Sequence, residues 1–291
     1  MTAFQGILFL PPALLLNLVV RRQDGTRDLE FRHHEHVGKV GRGTGARAGG
    51  FPPGHGRLGL WKDQLLKEEL LPAESAGRAQ LLIIAADSKF MGIRFRELSF
   101  CVSVSRPDNG IRHDAAYLVR AFNSCRFFAL CERVFFSTPY YHGDVRVSAS
   151  LPTSMHLVKK GEVVFAAEMG AGPSGLGREP SRCGEDGWDG PVFLPQGRRR
   201  GGRQGKLFVA RLRGYTRTYA FLPGTDSVAI KASPDSEVLQ ALRDSHFVAK
   251  EWIVREDATH AKSKTYKRAD LLPGETYAEL APAPDRGGVT A

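Results

Sequence analysis

Between Gln80 and Phe221 the sequence falls again and again into short runs with the two-residue period of a β-strand. No other feature constrains the fold as much. Ile93 to Ser105 alternates apolar and polar residues, the mark of a half-buried strand, and Gln80 to Ala86 is a continuous apolar run expected to be buried on both faces. Ala115 to Phe122, Asp144 to Ser148, Ser154 to Val158, Gly161 to Ala167, Lys206 to Leu212 and Thr216 to Phe221 read as further strands. Lys159-Lys160-Gly161 and Arg106 to Gly110 have turn composition. Strands joined by tight turns argue for an antiparallel sheet curled into a barrel or sandwich. Three segments read as helices. Trp61 to Leu71 is amphipathic, Ser124 to Phe136 is spaced for packing on a sheet, and Ser236 can cap a helix carrying Val238, Leu239 and Leu242.

The fold class expected is therefore α+β and strand-dominated, an antiparallel β cone or barrel with a few packed helices. The domain is expected to span 61–270. Residues 1–60 are read as a partly disordered appendage, because glycines crowd positions 38–50. The Gly/Pro/Arg-rich stretch 170–205 is read as a flexible insertion, and 271–291 as a tail. The apolar run at 4–20 is interrupted by Pro11-Pro12 and followed, not preceded, by arginines. It fits neither a membrane span nor a secretory signal, and a cytoplasmic location is expected.

The net charge of +10 gathers in the Gly/Arg-rich stretches 38–57 and 197–206, which leaves the presumed core closer to neutral. The four cysteines form no CxxC pair and read as reduced structural thiols. His33-His34-Glu35-His36 has no second ligand cluster to complete a metal site, and no metal or cofactor is expected. The basic segment from Trp252 to Arg268 reads as a solvated tail, with phosphate or RNA contact as the alternative. The Arg/Gly run 196–206 has two readings. It is an exposed loop, or one of the unstructured tracts by which proteins grip nucleic acid or another anionic surface.

One set of motifs resembles a known family. Phe95-Arg96-Glu97 is followed by Cys131-Glu132-Arg133 and then by Thr138-Pro139-Tyr140-Tyr141. This order is similar to the Tyr-x-Glu strand, Gly-Arg-Glu helix and Gly-Phe-Pro-Lys-Lys motif of the acetoacetate decarboxylase-like superfamily. It is closer to an uncharacterised bacterial branch of that superfamily with a Leu-Pro-Tyr version, and it covers roughly residues 80–170. The resemblance implies a closed, cone-like antiparallel sheet around a small cavity bordered by the Glu97 and Pro139 regions. It also places Tyr140 and Tyr141 where the decarboxylases carry their lysine pair, and a phenol forms no imine.

Glu97 and His142 are the candidate catalytic residues, a carboxylate and an imidazole suited to acid/base work. Tyr140, Tyr141, Asp144 and Arg146 are the candidate ligand contacts, with Tyr140, His142, Asp144 and Arg146 on one face of a strand. A second reading has the two tyrosines simply packing a barrel end. An arginine in the cavity would favour a carboxylate through its bidentate fork, and Arg146 is better placed by parity than Arg94 or Arg96. The function expected is binding of a small anionic or carbonyl ligand such as an oxo-acid, or lysine-independent lyase or hydratase chemistry. The alternative is nucleic-acid or anionic-surface binding. A homo-oligomer is expected, and no membrane partner.

Overall fold

Outward-facing apolar residues of one large sheet and the inner face of a smaller sheet enclose the main core of the computed structural model. The model describes residues 35–43, 58–75, 77–90, 93–105, 115–148, 151–171, 178–199, 202–231, 236–263 and 265–268. The apolar run at 4–20, His33-His34, the turn at 106–110 and the tail 271–291 lie outside the described residues.

The chain order begins with β1 (Glu35–Gly43), α1 (Leu58–Leu66), the short strands β2 (Leu71–Pro72), β3 (Glu74–Ser75) and β4 (Arg78–Ala79), then β5 (Leu81–Phe90), β6 (Ile93–Ser105) and β7 (Ala115–Asn123). It continues with α2 (Arg126–Phe135), β8 (Tyr140–His142), β9 (Asp144–Ser148), β10 (Ser154–Lys159) and β11 (Glu162–Glu168). Last come β12 (Arg182–Arg199), β13 (Gly202–Ala220), β14 (Ser227–Ile230), α3 (Glu237–Asp244), β15 (Glu251–Lys262) and β16 (Tyr266–Lys267). The large sheet runs β6-β5-β1-β15-β13-β12-β7, and β7 pairs back onto β6. The strands therefore form a closed ring, a barrel without free edges over those strands. The second sheet is the antiparallel β14-β11-β10-β9. The strand-dominated α+β barrel expected from the sequence is the fold observed.

The alternation in β6 explains how the barrel is lined. Leu98, Phe100, Val102 and Val104 are fully buried in the core between barrel and second sheet. Phe100 meets Phe165 of β11 edge-on at 5.4 Å and Phe122 of β7 at 6.2 Å. The opposite set, Glu97, Ser99, Cys101 and Ser103, faces the interior of the ring, where Cys101 packs with Leu118, Ala121, Val192, Leu194 and Phe208. The polar side of this strand therefore faces the inside of the barrel. β5 is apolar on both faces, as its sequence predicts, with Ile83 and Ala85 outward and Leu82 and Ile84 inward. Trp61 and Leu65 of α1 and Val238, Leu239 and Leu242 of α3 close the main core. Ser236 stands at the N-cap of α3 but makes no side-chain capping bond.

Four sequence expectations need correction. Glu35–Gly43, assigned to the Gly-rich appendage, is a strand pairing with β5 and β15. Backbone pairing on both sides satisfies its amides and carbonyls whatever its side chains contribute. Within the stretch 170–205, assigned to a flexible insertion, residues 182–199 are β12 and 202–205 the start of β13, paired from Arg182↔Thr218 to Arg199↔Gly202. The described residues 197–199 and 202–204 of the Arg/Gly run are thus paired strand and not an unstructured tract. Trp252 to Lys262, assigned to a solvated tail, is the central strand β15, which buries Trp252, Val254 and Ala258. Finally, α2 buries only Ala129, while Phe127, Leu130, Val134 and Phe135 are each about half exposed or more. Its apolar residues were expected to pack on the sheet.

Candidate functional site

Asn123, the last residue of β7, sets the first contact inside the barrel. Its side-chain oxygen accepts the Cys125 amide at 2.8 Å, at the start of α2. That bond turns the Asn123 amide nitrogen inward, where it donates to Glu97 Oε1 at 3.0 Å. Glu97 and Asn123 lie directly opposite each other in the β6–β7 ladder, which explains why the pair forms. Tyr140 is brought alongside by the parallel pairing of β8 with β7, opposite Ala121. It packs against the inner apolar cluster. Burial drives the Tyr140 phenol well above its ordinary pKa, the Glu97 and Glu132 carboxylates push it further, and a hydrogen bond with Ser99 offsets part of this. Tyr140 is thus a neutral phenol throughout the physiological range, able to donate one hydrogen bond.

A second carboxylate stands near the same phenol. Glu132 of α2 accepts Thr138 Oγ1 at 2.8 Å and Lys262 Nζ at 2.9 and 3.1 Å. Lys262, from the end of β15, also lies 4.4 Å over the ring of Phe208, an inner residue of β13, and 5.1 Å over Phe136. A lysine therefore does border the interior, contributed by the segment that sequence reading placed in a solvated tail. The even periodicity of Trp252 and Val254 was the signal that could have found this strand.

The remaining sequence candidates separate from this group. Tyr141 points the other way and is 37% exposed, with the Arg120 guanidinium 4.6 Å and that of Arg133 5.6 Å from its ring centre. His142, Asp144 and Arg146 line an open hollow of about 450 Å³ on the outside of the second sheet, together with Lys159 and Lys160. Arg146 is paired with Asp144 at 2.8 Å, both largely exposed. Glu97 and Tyr140 do not line that hollow. Gly143 joins β8 to β9, and its amide donates to Asn123 O at 3.1 Å. A Cβ there would sit 2.9 Å from Leu157 and 3.2 Å from Phe122, so glycine lets the chain pass from barrel to second sheet without displacing either side chain. Arg94 and Arg96 are committed to Asp87, Arg94 at 2.6 and 2.7 Å and Arg96 at 3.3 Å, on the outward face of the barrel. Lys160 and Gly161 take positive φ in the β10–β11 hairpin, as their turn composition predicts.

The cysteines are all free. Among the described residues no three His, Cys, Asp or Glu side chains group as a metal site, and no helix is long and apolar enough to cross a membrane.

No family model and no curated protein matches the chain. Solved structures do. Acetoacetate decarboxylase from Legionella pneumophila superposes with a TM-score of 0.53 at 11% identity, over 84% of this chain and 93% of that one. An acetoacetate decarboxylase-like enzyme from Sphingomonas wittichii RW1 gives 0.50 at 11% identity, over 81% and 91%. At these identities the likeness speaks for architecture, and over nearly the full length of both structures it shows that this chain has the acetoacetate decarboxylase-like fold.

Proposed function

We propose that the barrel interior binds a small carbonyl compound of the oxo-acid kind, with Tyr140 donating to its carbonyl oxygen and Glu97 placed beside the adjacent carbon. The observation that carries this reading is the convergence of Glu97, Asn123, Ser99 and Tyr140 on one inward face beside the inner apolar cluster. Ligand sites are mostly apolar hollows with a few placed polar groups, and this face has that composition. A neutral phenol beside a carboxylate fixed by an amide also suits proton transfer next to a carbonyl, the step that lysine-independent lyases and hydratases share. His142, Asp144, Arg146 and Tyr141 have no part in this reading.

The test is calorimetric titration of the full chain with acetoacetate and pyruvate. Saturable binding is expected, weakened at least about tenfold by Glu97→Gln and by Tyr140→Phe. Neither substitution should change the unfolding midpoint much, since each keeps its shape. Absence of binding to the wild type refutes the reading, and so does unchanged affinity in both variants. Borohydride added with either ligand is expected to leave no covalent adduct. A trapped adduct on Lys159, Lys160 or Lys262 overturns the lysine-independent chemistry.

A further inference from the structure

The helix α2 turns its apolar side away from the barrel. At about 100° per residue, Phe127, Leu130, Cys131, Val134 and Phe135 fall within one arc of about 140°. The opposite arc holds Phe128, Glu132 and Ala129, the one residue the helix buries. Contacts on that side fix the helix against the barrel. Phe128 meets Phe95 of β6 edge-on at 4.9 Å, and Glu132 accepts Thr138 Oγ1 and Lys262 Nζ. The helix cannot roll its apolar arc inward without breaking them.

The outer arc therefore stays in water. Phe127 is 63% exposed, Val134 58%, Leu130 51% and Phe135 48%. At about 200 Å² for a large apolar side chain, these fractions amount to about 450 Å² of contiguous apolar surface. A patch of that size is as large as any on an ordinary monomer and is the kind that marks an interaction site.

The stripe is complementary to itself. A second copy placed antiparallel, about a two-fold axis between Leu130 and Cys131, sets Phe127 against the partner's Val134 and Leu130 against the partner's Cys131. Large meets small at both positions, which lets two helices approach to about 8–10 Å. Two such stripes bury about 900 Å² of apolar surface, and the helix flanks carry the total past about 1,000 Å², where specific interfaces begin. Glu132 is the only carboxylate of α2 and is turned to the barrel, so no acid is trapped in the contact.

We propose that α2 pairs antiparallel with α2 of a second copy, through Phe127, Leu130 and Val134, as the two-fold contact of a homodimer. The proposal stands apart from the reading of the barrel interior and does not depend on it.

The test is sedimentation velocity of the full chain at rising concentration, up to about 100 μM. The wild type is expected to form a concentration-dependent dimer. Leu130→Glu and Leu130→Lys should each raise its dissociation constant at least about tenfold. Leu130 lies beside the axis and faces its own counterpart, so an equal mixture of the two variants should regain the dimer. Thermal unfolding of each variant checks the fold. If Leu130 tolerates no charge, Phe127→Glu and Val134→Lys form the equivalent pair. Arg126 and Arg133 line the same flank of the arc in both copies, so added salt should tighten the wild-type dimer. A wild type that stays monomeric overturns the proposal, whether or not it binds phosphatidylglycerol vesicles, and binding lost in Leu130→Glu would assign the face to a lipid surface instead. An assembly that both variants leave intact overturns it as well, and so does a mixture that fails to reassociate. A dimer that salt dissociates overturns it in favour of an ion-paired contact elsewhere.

Discussion

Replacing Asp226 by asparagine should cost about 3–5 kcal/mol of stability, the usual penalty for stripping one partner from a buried ion pair. Asp226 lies in the turn before β14, and its side chain has no exposed surface. Oδ1 accepts the Gly170 amide at 2.9 Å and Arg178 Nη1 at 2.6 Å. Oδ2 accepts Arg178 Nη1 at 2.8 Å, the Leu222 amide at 2.8 Å and Trp252 Nε1 at 2.9 Å. The carboxylate thereby joins the end of β11, the chain entering β12, the turn before β14 and the central strand β15. An asparagine has one acceptor oxygen and turns an NH2 toward N–H donors on its other side. The less damaging orientation orphans the buried Gly170 amide, worth about 1–3 kcal/mol, and leaves the Arg178 guanidinium, 8% exposed, without its counter-charge. Arg178 retains its bond to the Ala220 carbonyl, which keeps the loss from growing further.

The measurement is urea denaturation of wild type, Asp226→Asn, Arg178→Gln and the double variant. The midpoint of Asp226→Asn should fall at unchanged slope, and the double variant should lose less than the sum of the two single ones. Titration supplies an independent arm. Burial pushes the Asp226 carboxyl up, but the bonds from Arg178, Leu222, Gly170 and Trp252 outweigh it and hold its pKa below the usual carboxylate value. A depressed folded pKa means stability that is fully present above the unfolded value and lost as pH falls toward the folded one. The gap between wild type and Asp226→Asn should therefore be constant near neutrality and close below about pH 4. A loss under about 1 kcal/mol at pH 7, or a gap that does not narrow in acid, would refute the role given to this carboxylate.

Two further substitutions test local packing. Gly143→Ala should destabilise by about 1–3 kcal/mol, because its methyl group meets Leu157 and Phe122 in the filled core. An unchanged melting temperature would mean that the passage from β8 to β9 is loose. Leu130→Glu on α2 should change the stability of the isolated chain by no more than about 0.5 kcal/mol, since the fold does not cover this side chain. A drop of several kcal/mol in equilibrium denaturation would show that something buries it.

The fold was legible where hydrophobic pattern and strand identity coincide, as in β5, β6, β7, β10 and β11. It was not legible in β1 and β12, where the strands carry glycine, proline and charge in place of β-branched residues. Their backbones are nevertheless paired, β1 on both sides and β12 with β13 over most of its length. Closure of the ring supplies those partners, so the local sequence did not need to favour a strand. The same closure explains the misreading of α2. The spacing of Phe127, Leu130 and Val134 records that the helix has an apolar side, but not whether this chain covers it.

The sequence grouped candidate residues that the fold separates, and the reason is geometric. Strand parity placed Tyr140 and His142 together, which is correct for a strand that continues straight. Here His142, although it lies in β8 with Tyr140 and opposite Asn123, lines the outer hollow with Asp144 and Arg146. Glu97 was identified from its motif, but its orienting partner Asn123 sits 26 residues away and becomes adjacent only through the β6–β7 register. The burial of Arg255 in β15 was hidden for a related reason. An arginine in a basic C-terminal segment looks solvated, and only the extra residue in β15, between Arg255 and Ala258 against β1 and between Glu256 and Thr259 against β13, puts Arg255 and Ala258 on the same inward face. A bulge of this kind re-aims a side chain without leaving a mark in composition. The polar residues that enter a closed barrel are thus named one at a time by sequence, and their convergence is a property of closure.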